Sequence, residues 1–184
     1  MEVNPTGEQA LLILGEWGAA REWRAVLVDL KEGRELHALG EAGLVGGAAF
    51  SADGKRLLIG RGNVTSGLEC VVYDTTTGRE LGRLPGAGGG VALHPGGRLV
   101  AASRMEGSLT LFDLATRRSV ASLYGVGEGD WIVTSAGSYD ASQPNSPWLM
   151  TEISPEAATA ASESLLEERR RPNLLSEVLA PLLD

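Results

Sequence analysis

A turn that closes on glycine and leads into an apolar strand occurs four times along the chain, and this repeat limits the possible folds most. The closing glycines are Gly7, Gly54, Gly97 and Gly137, separated by 47, 43 and 40 residues. In the first three copies, a short run rich in Leu, Val, Ile and Ala follows the glycine. Such runs, bounded by Gly, Asp and Pro, are typical of β-strands. The fourth copy is looser, so the sequence predicts a repeated β unit with an irregular last member.

A second marker follows each of the first three turns and keeps nearly the same period. An apolar strand ends at Asp29, Asp74 and Asp113, with spacings of 45 and 39 residues, and a polar turn and a short strand come after it. A four-stranded β-propeller blade has a period of about 40–45 residues. Because two independent markers agree in period, we predict propeller blades.

The recurring polar residues of the turns have an ordinary structural explanation. An aspartate directly after a buried strand accepts hydrogen bonds from nearby backbone N–H groups, and glycine supplies the positive φ that tight turns require. A folding role predicts one such residue in each copy, whereas a single active site does not. We therefore interpret Asp29, Asp74, Asp113, Gly54 and Gly97 as structural turn residues.

The same residues resemble the WD40 repeat family over about residues 1–125. The dipeptides Val28–Asp29, Tyr73–Asp74 and Phe112–Asp113 stand where that family has Trp-Asp, and residues 50–58 look like its strand–turn–strand core. The family's Gly-His pair is absent from all copies. The resemblance implies an all-β fold, a partial or small β-propeller of about three to four blades, here with a C-terminal helical tail. It also implies a surface that holds other proteins.

The chain changes character near residue 153, where the pattern becomes helical. Ser154 can cap a helix, Pro155 suits its first position, and a break follows at Pro172. Beyond the break, apolar residues recur at helical spacing. We predict propeller blades over 1–153 and, over 154–184, a helical tail that packs either on the propeller or on a partner. The apolar stripe consists of Leu175, Val178, Leu179 and Leu182.

The end of the chain carries a second, narrower resemblance, over about residues 129–180. Residues 130–134 and 137–142, followed by 153–155 and 171–175, look like the last blade and tail of bacterial proteins that join WD40 repeats to caspase-like peptidases. The His and Cys motifs of the peptidase itself do not occur. What the resemblance implies is architecture, together with an association with a caspase-like peptidase or a defence complex.

Composition argues against nucleic acid and membranes as partners and favours a cytoplasmic location. The net charge is −8, and no stripe of Lys and Arg alternates with aromatics, which argues against nucleic-acid binding by general electrostatics. No apolar run approaches the roughly 20 residues of a membrane helix, and no signal-peptide pattern is visible. The lone cysteine, Cys70, excludes a disulfide within the chain. We expect a cytoplasmic protein without a nucleic-acid or membrane partner.

The sequence contains no recognisable constellation of catalytic or metal-binding residues. Metal-ligand spacings, a nucleophile elbow and a Walker-type phosphate loop are all absent. Of the two histidines, His94 falls in a repeat turn and His37 in an outer-strand pattern. The glycine-rich run 86–90 joins two strands, so we interpret it as a flexible linker between blades and not as a phosphate cradle. We expect no enzyme activity, no cofactor and no bound metal.

Two tryptophans of the first copy leave two interpretations open. Trp17 and Trp23 flank a Gly-Ala-Ala-Arg-Glu segment between strands. If that segment is a loop, two exposed aromatics would form a contact patch. Equally, they would cover the end of an incomplete blade. Both residues join the apolar stripe of the tail as candidate interaction residues.

The incompleteness of the repeat suggests the function. Three regular copies and a partial one leave strand edges open, which proteins rarely tolerate. Closure as a four-bladed ring, pairing with a second chain, or cover by the terminal helices would each solve the problem. We hypothesise a non-enzymatic interaction module, a scaffold or regulatory subunit of a bacterial multi-protein complex, completed by a protein partner or by self-association. The alternatives are a subunit that completes a catalytic or ligand-sensing site with another chain, and a degenerate fragment with a structural role.

Overall fold

The apolar runs of the repeat form strands in the computed structural model, which describes residues 1–15, 23–40, 44–63, 67–104, 107–126, 129–143 and 168–183. The first two copies form β1 (Glu2–Val3), β2 (Gln9–Gly15), β3 (Trp23–Asp29), β4 (Arg34–Ala38), β5 (Leu44–Phe50), β6 (Arg56–Asn63), β7 (Gly67–Asp74) and β8 (Glu80–Pro85). The rest forms β9 (Val91–Leu93), β10 (Leu99–Ser103), β11 (Leu109–Asp113), β12 (Arg118–Val126), β13 (Asp130–Ser135), β14 (Ser138–Ala141) and helix α1 (Leu174–Leu183).

The described strands make three antiparallel sheets, one for each regular copy of the repeat. The first sheet has the order β1-β2-β3-β4 and the second the order β5-β6-β7-β8. The third sheet has six strands in the order β14-β13-β12-β11-β10-β9. Each sheet therefore runs in chain order from an inner to an outer strand, which is the arrangement of a propeller blade.

The fourth copy of the turn extends the third sheet and does not begin a new one. Ala136 and Gly137 both have positive φ, 48° and 80°, and join β13 to β14 as a two-residue hairpin. Positive φ at both central residues is the geometry that favours a tight hairpin. Strand β13 pairs along the far half of the nine-residue β12. Within the described ranges the propeller thus comprises three blades, the last of them widened by a hairpin.

The first and second sheets pack face to face through alternate residues of their central strands. Leu11 and Leu27 of the first sheet contact Leu57, Ile59 and Val71 of the second, and all five are at most 2% exposed. Alternation places these side chains on one face because successive residues of a strand point to opposite sides. Fully burying one such side chain stabilises the fold by about 1.5–3 kcal/mol.

The second and third sheets repeat this packing one period later. Leu58 and Val72 on the other face of the second sheet contact Val100, Ala102 and Phe112 of the third. Counted from the turn glycines, Leu57 and Val100 occupy the same place in their copies. Equivalent positions therefore face the preceding sheet in each copy, which is how a periodic sequence stacks its blades.

Glycines allow the second and third sheets to approach closely near their inner strands. A Cβ at Gly60 would lie 2.3 Å from the carbonyl oxygen of Gly89, and one at Gly88 would lie 2.5 Å from the carbonyl oxygen of Arg61. Ala87 is completely buried, and the N–H of Gly90 donates to Ser103 Oγ at 2.8 Å. The run 86–90, expected to be a flexible linker, is instead closely packed, because it fills the space between two sheet backbones.

Helix α1 packs on the face of the third sheet that is turned away from the second. Leu174 and Leu182 are 4% and 7% exposed and contact Leu99, Leu111 and Val133. This face is equivalent to the face of the second sheet that receives the third. The helix therefore occupies the place at which a following blade would pack.

Candidate interaction surfaces

The repeat aspartates are the last residues of β3, β7 and β11, each of which has a neighbouring strand on both sides in its sheet. Asp29, Asp74 and Asp113 each accept the N–H of the residue two places on, at 2.8–3.0 Å. Asp29 and Asp74 also accept the N–H three places on, at 2.9 and 2.8 Å. These backbone donors stabilise the carboxylate form and lower the pKa of Asp29 and Asp74. These hydrogen bonds stabilise the turns, and they account for the aspartates by a structural role.

Asp113 differs from the other two because it also carries an ion pair. It is 4% exposed, and Arg98 donates to both of its oxygens at 3.1 Å. This pairing, aided by the Thr116 hydroxyl and a backbone N–H, lowers the pKa of Asp113 to about 2. Arg98 also donates to the carbonyl of Pro181 in the last turn of α1, at 3.0 Å. The same guanidinium thus connects the third sheet's turn to the helix that covers the sheet.

The residue four places after each repeat aspartate adopts a left-handed backbone conformation. Gly33 and Gly78 have φ of 65° and 67°, and the N–H of each donates to the aspartate carbonyl. The third copy places Arg117 there, with φ of 60° and the same hydrogen bond at 2.7 Å. A non-glycine residue in this region costs about 1–2 kcal/mol, so glycine is favoured at this position and the third copy departs from it.

A cleft of about 330 Å³ opens between the second and third sheets at the edge where these turns lie. Arg117 spans it and donates to the carbonyl of Leu81 in β8 at 2.8 Å. A Cβ at Gly82 would lie 2.6 Å from the Arg117 guanidinium carbon, so the glycine lets the arginine lie against the strand. The cleft is lined by Arg56, Val72, Leu81, Gly82, Gly97, Arg98, Leu114, Ala115 and Arg117.

The candidate interaction residues of the tail lie on α1 against the third sheet. Leu182 is buried, and Leu175, Val178 and Leu179 are partly buried against the same apolar cluster. In this chain the apolar stripe is therefore directed at the parent sheet. Residues 154–167 of the predicted helical tail lie outside the described residues, as do residues 144–153 of the predicted propeller and Trp17. Trp23 begins β3, and its side chain is outside the described part.

Two sets of surface residues were not predicted from the sequence. Trp131 in β13 is 44% exposed, and nothing in its local pattern separates it from a buried strand residue. The arginines Arg56, Arg98 and Arg117 come from three separate segments, and only the packing of two sheets brings them to one cleft. A signal for Arg117 was present, since the aligned copies have glycine at its position.

Apolar side chains are also exposed on the face of the first sheet turned away from the second. Val3 and Leu14 lie on this face and are 45% and 43% exposed, whereas Ala10 and Val26, which share it, are buried. Counted from Gly7 and Asp29, Ala10 and Val26 correspond to Leu57 and Val71, through which the second sheet receives the first. On this face, the residues therefore occupy the positions that contact the preceding blade in the second sheet.

The described residues offer little for covalent or metal chemistry. Burial raises the pKa of Cys70 to about 12, so its sulfur stays a thiol, which is a poor nucleophile and a poor metal ligand. Within the described ranges, no three His, Cys, Asp or Glu side chains are grouped so as to hold a metal ion. None of the described helices has the length and apolar character needed to cross a membrane.

Solved structures with WD40 repeats share this arrangement of sheets. The structure of U3-55K is similar with a TM-score of 0.53 at 15% identity over 76% of this chain and 46% of that one. The crystal structure of the RRP9 WD40 repeats gives a TM-score of 0.53 at 15% identity, over 74% and 45%. No family model and no curated protein matches the sequence.

These similarities define a class by fold. The chain has the fold of a partial WD40-type β-propeller with a C-terminal helix, and the fold predicted from the repeat is confirmed. It spans a little under half the length of the two solved chains.

Proposed function

We propose that the protein is a non-enzymatic interaction module, a scaffold or regulatory subunit of a multi-protein complex. The observation that carries the proposal is the residue pattern on the outer face of the first sheet, which has apolar residues at the positions through which the second sheet packs on the first. At the centre of this face Ala10 and Val26 are buried, and at its margins Val3 and Leu14 are 45% and 43% exposed. These two margin residues are the part of the face that a protein partner would contact.

The partner that this face fits is another protein chain that presents an apolar sheet. Ala10, Leu12, Val26 and Val28 occupy the positions at which the second sheet receives the first, so the residue pattern is that of an existing sheet–sheet interface. Self-association through this face would supply the sheet from a second copy.

The resemblance at the end of the chain supports a bacterial complex with a caspase-like peptidase as the setting. Its separate segments contact one another in the structure. The N–H of Arg171 donates to the carbonyl of Tyr139 at 2.8 Å, and the N–H of Asn173 donates to Asp140 Oδ2 at 2.8 Å. The hairpin and the start of α1 are thus in contact, and we expect the same contact in the proteins that join WD40 repeats to a peptidase.

Leu14→Lys tests the proposed surface. In this variant a charge enters the exposed face, and we expect the assembly to dissociate because burying an unpaired ammonium is costly. Molar mass is measured by light scattering after size exclusion, for the chain alone and for the complex purified from the native host. Leu30→Lys is the matched control, since Leu30 is 45% exposed but lies in a turn. A monomeric wild-type chain that co-purifies with no protein, or equal effects of both variants, would refute the proposal.

A further inference from the structure

The cleft between the second and third sheets gathers positive charge on a chain whose net charge is −8. Three arginines are among its lining residues, Arg56, Arg98 and Arg117. Arg98 is neutralised by its two hydrogen bonds to the Asp113 carboxylate. Arg56 and Arg117 remain as a pair of positive charges on opposite sheets.

These two arginines keep hydrogen-bond donors available. Within the described part of the chain, the guanidinium of Arg56 has no hydrogen-bond or ion-pair partner. Arg117 donates one N–H, to the Leu81 carbonyl. Since a guanidinium carries five N–H donors, both side chains have further donors for a ligand. Asp74, across from Arg56 in the pairing of β6 with β7, accepts hydrogen bonds from its own turn.

The backbone at Arg117 provides an independent indication of a role in binding. The first two copies have Gly33 and Gly78 at this position, and all three residues have φ between 60° and 67°. Glycine would adopt this conformation without strain, so the repeat by itself does not require an arginine here. Residues held in such conformations occur often at binding and active sites, where the surrounding structure maintains them.

The size and lining of the cleft indicate the kind of group it accepts. Its volume of about 330 Å³ lies at the small end of ligand pockets, which span about 300–1,000 Å³. Val72, Leu81 and Leu114 add apolar surface beside the arginines. Planar guanidinium groups match the oxygens of a carboxylate or phosphate and bind them with paired hydrogen bonds.

We propose that this cleft binds an oxyanion carried by an acidic segment of the protein partner, either a carboxylate or a phosphorylated side chain. The proposal rests on the function proposed above and adds the chemistry of the partner. In this proposal, Arg56 and Arg117 donate hydrogen bonds to the oxyanion, and Arg98 forms one wall of the cleft. The apolar lining contacts the methylene groups of the partner's acidic or phosphorylated side chain. A nucleic acid fits less well, because the acidic chain repels an extended polyanion.

Fluorescence anisotropy with the full chain tests the proposal with five probes. These are a labelled Glu-Leu repeat peptide, the same peptide with Gln for Glu, a peptide with one phosphoserine, inorganic phosphate as competitor, and a single-stranded oligonucleotide. We expect the acidic or the phosphorylated peptide to bind and the Gln peptide not to bind. The tighter of the two anionic peptides identifies the source of the oxyanion. Binding should weaken with added salt, as charge contacts at a surface do.

Variants connect the binding to the cleft. We expect Arg56→Gln and Arg117→Gly each to weaken peptide binding about tenfold, the equivalent of about 1.4 kcal/mol. Arg117→Gly relieves the strained backbone, so its unfolding midpoint should equal or exceed that of the wild type, which separates lost binding from lost folding. Arg34→Gln is the control, because Arg34 is an exposed arginine of the first sheet paired with Glu32 in its own turn and lies away from both proposed surfaces.

Several results would overturn the proposal. They are no binding of either anionic peptide, equal binding of the Gln peptide, or unchanged affinity in Arg56→Gln and Arg117→Gly. Tighter binding of the oligonucleotide, or phosphate binding that does not compete with peptide, would also overturn it. If Leu14→Lys abolishes assembly while the peptides fail to bind, only the cleft assignment is wrong and the interaction module stands.

Discussion

At the scale of single residues, a position that recurs in sequence acquires different neighbours in each sheet. Asp29, Asp74 and Asp113 organise the same turn, but only Asp113 is both buried and paired with an arginine. Arg98, which pairs with Asp113, also donates to the carbonyl of Pro181, and so connects the third sheet to α1. The turn of the third copy therefore has an ion pair and a contact with α1 that the structure does not show for the first two.

Replacing Asp113 by Asn should destabilise the protein by about 2 kcal/mol, the usual size of a charged hydrogen bond lost from a buried site. The amide keeps the shape of the side chain but loses the charge that Arg98 requires. Chemical denaturation measures the free energy of unfolding. Asp29→Asn is the matched control and should lower it much less, because within the described part of the chain Asp29 is in no ion pair with an arginine. Equal effects of the two variants would contradict this explanation.

The same ion pair predicts how stability depends on pH. The folded-state pKa of Asp113, about 2, lies below its ordinary value of 3.8, so the carboxylate contributes stability above that ordinary value. This stability is lost as pH falls toward 2, because the folded state must then give up the ion pair. Denaturant midpoints measured from pH 6 to pH 2 should fall less steeply in Asp113→Asn than in the wild type. Parallel slopes would show that other groups cause the acid sensitivity.

At the scale of elements, close approach of backbones and cover by a helix decide how the sheets stack. The glycines of β6 and of the run 86–90 let two sheets approach without intervening side chains. Helix α1 buries Leu174 and Leu182 on the opposite face of the third sheet. The third sheet is therefore packed on both faces although the chain forms no fourth blade within its described part.

Gly60→Ala should destabilise the protein by about 2 kcal/mol, within the range for overpacked sites. The added Cβ would meet the Gly89 carbonyl oxygen at 2.3 Å, and a backbone atom cannot move aside cheaply. Thermal unfolding followed by circular dichroism measures the loss. Gly125→Ala in β12 is the control and should be neutral or slightly stabilising, since no atom lies within 4 Å of its added Cβ. A neutral Gly60→Ala would show that the sheets can separate without cost.

Leu182→Ala should cost about 2–4 kcal/mol, as large-to-small changes in an apolar core do. Leu182 is 7% exposed against the third sheet, whereas its neighbour Leu183 is 45% exposed. Leu183→Ala therefore serves as the control on the same helix and should stay within about 0.5 kcal/mol. The readout is the free energy of unfolding in urea. If both variants behave alike, α1 does not depend on the sheet for its position.

At the scale of the whole molecule, the three sheets that the structure describes stack in chain order, and helix α1 covers the last of them. On the outer face of the first sheet Ala10 and Val26 are buried, and Val3 and Leu14 at its margins are exposed. A following blade cannot pack on the third sheet while α1 occupies the face. In the assembly proposed above, the outer face of the first sheet therefore supplies the contact.

Removing residues 168–184 should convert the covered end into a second contact surface. The apolar face with Leu99, Leu111 and Val133 would then be exposed, and exposed sheet faces promote association. We expect the truncated chain to form larger species than the wild type at equal concentration, measured by light scattering, with its β-sheet circular dichroism signal retained. A chain that lacks only Asp184 is the control. Unchanged molar mass in the truncated chain would show that α1 does not limit assembly.

Much of the fold was predictable because its causes are local and periodic. The presence of a glycine and an aspartate in each copy reflects hydrogen bonds and backbone angles within single turns, which neighbouring residues determine. The alternation of apolar residues likewise determines which side chains face the preceding blade. The helix from Leu174 to Leu183 follows from spacing as well.

The glycine turns that began the argument thus determined, by sequence alone, that the chain folds into propeller blades. Only the tertiary structure decided that the turn at Gly137 extends the third sheet, that α1 covers that sheet, and that Arg56 and Arg117 meet in one cleft. The physical reason is distance along the chain. A turn or a strand is stabilised by residues a few places apart, whereas a sheet interface joins residues tens of places apart, whose meeting depends on how whole sheets pack.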